Sequence, residues 1–79
     1  MDTRPTFANL VTRSGKTMAQ IARDSGLSLS TISRLASGDR LPSITTLVGL
    51  AKAIGVPVDA VADACIIQRE ARDEKETAA

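Results

Sequence analysis

The sequence predicts an all-α fold, a bundle of five short helices in one domain. Three observations point there. Apolar residues recur at three- and four-residue spacing in segments closed by Gly15, Gly26, Gly38 and Gly55. No stretch alternates with period two over enough residues to argue for a strand. The 79 residues include one aromatic residue, Phe7, so the core must be aliphatic, built from Leu, Ile, Val and Ala. A chain this short closes around one core, with a thin stability margin.

Residues 1–5 read as a flexible lead, with Pro5 suited to the first turn of a helix. The domain proper is expected over residues 6–72. Its first helix carries Phe7, Leu10 and Val11 and stops at Gly15. Thr17 can cap a second helix with Met18, Ile21 and Ala22 inward, ending at Gly26. Ser28 can cap a third, carrying Ile32 and Leu35 and ending at Gly38. After a turn ending at Pro42, Ser43 can cap a fourth helix with Ile44, Leu47, Leu50, Ala51 and Ile54 inside. Gly49 in its middle costs roughly 1 kcal/mol relative to alanine, the kind of cost a close helix approach explains. Pro57 opens a fifth helix, with Val58, Val61, Ala62, Cys65 and Ile66 along one stripe and an end near Arg72. Residues 73–79 are small and charged and are expected to fray.

Composition removes several function classes. A lone cysteine, Cys65, excludes an internal disulfide, and without histidine a zinc site of the usual nitrogen and sulfur ligands has no donor set. No metal or other cofactor is expected. No apolar run approaches the ~20 residues of a membrane span, and no leader-like stretch opens the chain, so the expected address is the cytoplasm. Gly15-Lys16-Thr17 resembles the end of a phosphate-binding loop, but Leu10 stands where that motif needs glycine, and a helix precedes it in place of a strand. The acids Asp59, Asp63, Glu70, Asp73 and Glu74 are spaced as an exposed helix face, not paired for general acid–base work. An enzyme is therefore not expected.

The net charge of +1 conceals a division. Residues 1–55 hold seven Lys/Arg against three acids, whereas residues 56–79 hold three against six. The basic portion suits a phosphate backbone; the acidic portion should face elsewhere.

The informative segment is residues 17–38. Ala22 is small enough for two helices to cross closely, and Gly26 supplies the positive φ of a tight turn. Ile32 and Leu35 then lock the following helix inward. Leu29, Ser30, Ser33 and Arg34 remain outward, where they can reach base edges in a DNA groove. Arg34 can donate two hydrogen bonds to a guanine, with a solvated arginine as the plainer reading. Leu29 has two readings of equal standing, a partner for a thymine methyl or scattered surface hydrophobicity.

Three strings, TMAQIARDSGLS (residues 17–28), STISRLASGDRLP (residues 30–42) and LVGLAKAIGV (residues 47–56), carry a family resemblance. In one register over residues 7–63, the chain resembles the lambda-repressor-like, Cro-type (Xre) helix-turn-helix family. The resemblance implies a five-helix DNA-binding domain with helices two and three as the helix-turn-helix. It also implies transcription control in the cytoplasm and dimeric binding to palindromic operators. Members often carry a phosphate-touching glutamine where this chain has Met18, and Glu-Asn where it has Ala36-Ser37.

Phosphate contacts, which set register on the duplex, are expected from Arg13, Lys16, Thr17, Ser28, Ser37 and Arg40. A homodimer contact is expected through the fifth helix at Val61, Cys65, Ile66 and Ile67, where the adjacent isoleucines point different ways. The leading expectation is a sequence-specific regulator, phage-repressor-like or a small controller protein, acting on double-stranded operator DNA. The alternative is an antitoxin-type or other protein-interaction module on the same fold.

Overall fold

The computed structural model describes residues 4–78, and side-chain surroundings as far as residue 74. Residues 1–3 of the expected lead, Ala79 and the side chains of 75–78 in the expected tail lie outside the described residues. Five helices follow in chain order: α1 (Phe7–Arg13), α2 (Met18–Ser25), α3 (Leu29–Ser37), α4 (Ile44–Ile54) and α5 (Val58–Ala78).

Hydroxyl caps start the first four. Thr6, Thr17, Ser28 and Ser43 each accept a hydrogen bond from the backbone N–H three residues on, satisfying a donor that the helix start would leave unpaired. Pro5 therefore precedes the cap and does not sit in the first turn: the Thr6 hydroxyl takes the Asn9 N–H at 3.1 Å and fixes the start of α1. At α5 the Pro57 carbonyl accepts from Ala60 and Val61 N–H, so the proline stands at the helix threshold as expected.

The core joins all five helices, with Phe7, Ile21, Ile32, Leu35, Leu50 and Val61 closed to solvent at its centre. Its composition is aliphatic apart from Phe7 and Cys65, and no polar or charged residue among the described ones is buried. Burying such side chains is the main favourable term in folding, each contributing about 1.5–3 kcal/mol. α2 packs on α3 and α4, while α5 lies against α1, α3 and α4. Gly49 earns its place where α4 meets α2: a Cβ there would stand 3.2 Å from the Ser25 carbonyl oxygen.

Three further expectations are corrected. Ile44 is 79% exposed, because as the first residue of α4 it projects clear of the elements that cover Leu50, Ala51 and Ala53. The buried stripe of α5 is turned relative to the expected one: Val61, Ala64, Cys65 and Ile67 are inside, whereas Val58 and Ile66 are exposed. Finally, α5 continues beyond the expected end near Arg72 to Ala78, with Arg69 and Asp73 paired one turn apart at 3.8 Å.

Candidate nucleic-acid interface

The candidate face is built by α2, α3 and the turns that end them. Thr17 and Gln20 start α2 reciprocally: the Thr17 hydroxyl takes the Gln20 N–H at 3.1 Å, and Gln20 Oε1 takes the Thr17 N–H at 2.8 Å. At the other end Gly26, at φ 77°, reverses the chain. Leu27 N–H returns to the Ala22 carbonyl at 3.0 Å, and Leu27 packs against the core. Ala22 is itself buried in the core.

α3 follows with its two faces separated. Ile32 and Leu35 are fully inside. Leu29, Ser30, Ser33 and Arg34 all lie exposed, and Leu29 presents 53% of its surface to solvent. The four side chains expected to reach base edges thus share one open face of a helix whose other face is fixed.

The residues expected at phosphate divide into those left open and those already engaged. Arg13 and Arg40 are exposed, Arg13 in the last turn of α1 and Arg40 in the turn after α3. Ser28 and Thr17 are exposed but their hydroxyls accept cap bonds, and Ser28 also shares a bond with the Thr31 hydroxyl at 2.9 Å. Ser37 directs its hydroxyl to the Arg34 carbonyl and to Asp39 Oδ2, both at 3.0 Å. Lys16 is half-exposed but already partnered. Its Nζ donates to the Ala53 carbonyl at 2.6 Å and pairs with Asp24 at 3.4 Å, so its charge closes the end of α4. Met18 is half-buried against the core.

The residues expected at a dimer contact are not on one surface. Val61 and Cys65 belong to the protomer's own core, and Ile67 is also buried, because the α5 stripe faces α1, α3 and α4. Ile66 alone of the four is open, at 48% exposed. It borders a shallow groove of about 180 Å³ lined by Leu41, Pro42, Leu47, Ala62 and Cys65. Burial pushes the Cys65 thiol up from 9.0 to about 11, so it stays protonated and unreactive at neutral pH.

Sequence reasoning did not find Gln68 and Arg72, which touch this region from α5. Gln68 Oε1 accepts the Ala8 N–H at 3.1 Å, and Arg72 reaches the Gly38 carbonyl at 3.3 Å and Asp39 at 3.4 Å. No sequence spacing signals contacts made across 60 and 34 residues of chain.

A left-handed glycine turn at Gly26, joining α2 to a capped α3 whose outer face is open, defines a helix-turn-helix. The helix-turn-helix family model matches residues 4–61, and the chain belongs to that DNA-binding, lambda-repressor-like family. No curated protein and no solved structure matches it. Among the described residues, no helix is long and apolar enough to cross a membrane.

Proposed function

We propose that the protein is a sequence-specific transcriptional regulator, phage-repressor-like or a small controller protein, that lays α3 in the major groove of operator DNA. The observation that carries this is the division of α3, with Ile32 and Leu35 sealed in the core and Leu29, Ser30, Ser33 and Arg34 open on the other side. Arg34 reads a guanine through its two-pronged donor, and Ser30 and Ser33 bond to bases or phosphates beside it. Leu29 offers its apolar tip to a thymine methyl, which gives an otherwise exposed leucine a partner.

Phosphate contacts come from Arg13 and Arg40, with the hydroxyls of Thr17, Ser28 and Ser37 beside them. Lys16 is omitted from this set because its ammonium is held by Ala53 and Asp24. The protein works in the cytoplasm as a homodimer joined around Ile66 and the groove beside it, spacing two α3 helices for half-sites ~34 Å apart.

The test is selection of duplexes from a random pool, followed by binding of the selected sequence. Arg34→Ala should weaken binding by ~1–3 kcal/mol and relax preference at one base pair in each half-site. Unchanged affinity and unchanged preference would refute the assignment of α3. Sedimentation showing a monomer at high micromolar concentration would remove the dimer.

A further inference from the structure

Helix α3 ends at Gly38 in a left-handed turn, φ 83°, in which Asp39 N–H returns to the Arg34 carbonyl at 3.0 Å. Such turns are commonly clasped by an apolar contact from the residue after the glycine to the residue whose carbonyl it caps. Here those two residues are Asp39 and Arg34, both charged and exposed, so no apolar clasp forms. A cation from the other end of the chain takes its place. Arg72 Nη1 donates to the Gly38 carbonyl at 3.3 Å, and Arg72 Nε pairs with Asp39 Oδ1 at 3.4 Å. The other oxygen of that carboxylate accepts from Ser37, whose hydroxyl also reaches the Arg34 carbonyl. Gly38 is buried beneath this arrangement, pressed on the α5 backbone at Gln68 and Arg69.

The Asp39 N–H ends on the Arg34 carbonyl, so what holds Gly38 and Asp39 also holds the peptide of Arg34. A guanidinium can hold two acceptors at once through donors fixed in a planar fork. We propose that Arg72 is a positioning residue for base recognition: through Gly38 and Asp39 it fixes the last turn of α3, and with it the direction from which Arg34 enters the groove. The clamp also keeps the Asp39 carboxylate paired where it would otherwise repel DNA phosphate. Arg72 itself lies beyond residue 61, outside the part of the chain that the family model matches. The proposal rests on the reading of α3 as the groove-binding helix.

The experiment compares affinity for the selected duplex with affinity for every single-base change in it. Arg34→Ala identifies the base pair that Arg34 reads, by a loss of discrimination there on the order of tenfold. Arg72→Ala is expected to relax discrimination at that same pair by about threefold or more, and to add nothing in the Arg34→Ala background. Asp39→Ala, a change at an exposed residue, should relax the same pair and decides the matter alone if Arg72→Ala does not fold. Intact discrimination at the Arg34 pair in both variants would overturn the proposal while leaving the function of α3 standing. So would loss spread evenly over all pairs, or a salt slope reduced by ~0.9 in Arg72→Ala, which marks a direct phosphate contact. If Arg34→Ala relaxes no pair, the reading of α3 fails and the role of Arg72 falls with it.

Discussion

The turns on either side of α3 use the same backbone solution and are supported in opposite ways. Before it, Gly26 and Leu27 close α2; after it, Gly38 and Asp39 close α3, and both glycines adopt a left-handed conformation. At the first turn the following residue is apolar and packs on the core, and nothing lies within 4 Å of where a Gly26 Cβ would be. At the second the following residue is charged, and a Gly38 Cβ would meet the Gln68 carbonyl oxygen at 2.8 Å and Arg72 Cβ at 3.0 Å. The first turn is held by its own next residue against the core. The second is held by a helix about thirty residues later.

That contrast can be broken by measurement. Gly38→Ala meets both left-handed strain and a backbone atom that cannot swing aside, so it should lose about 3 kcal/mol or more of stability in denaturant unfolding. A mild loss would mean that α5 yields easily. The next effect in size comes from titrating α5 itself. Folded Cys65 keeps its proton to about 11, whereas the unfolded thiol releases it near 9.0. Above the lower value the unfolded chain loses a proton that the folded one retains, so stability should fall as pH rises, by about 1.4 kcal/mol at about pH 10. Cys65→Ala should abolish that slope between the two values, and its persistence would assign the loss to another group. Gly26→Ala is the smallest of the three, about 1 kcal/mol, since only the left-handed conformation is penalised. Equal losses at Gly26 and Gly38 would erase the distinction between a local turn and a supported one.

How much of this was legible follows the same line. The caps at Thr17, Ser28 and Ser43 and the turn at Gly26 depend on neighbours three or four residues away, and the sequence displayed them. The open face of α3 could be read for the same reason, because Ile32 and Leu35 fix the helix phase and the outward residues follow. What depended on distant partners was hidden. Lys16 looked like a free cation until the end of α4 was seen to sit under its ammonium. In α5, Val61 and Cys65 are inside as the spacing predicts, but Val58 and Ile66 are as apolar as the residues that are buried, and only the packing against α1, α3 and α4 selects between them. Ile44 was misplaced for a related reason: a helix's first residue can be apolar and still have nothing beside it.

The separation of the two faces of α3 has one more consequence. Within nine residues, the positions that hold the helix in place and the positions that meet the outside are different residues. Leu29, Ser30, Ser33 and Arg34 can therefore be rewritten without disturbing Ile32 or Leu35. A family of variants could acquire new addresses on a genome while each remained the same folded object, and a combinatorial library confined to those four positions would preserve the scaffold that presents them.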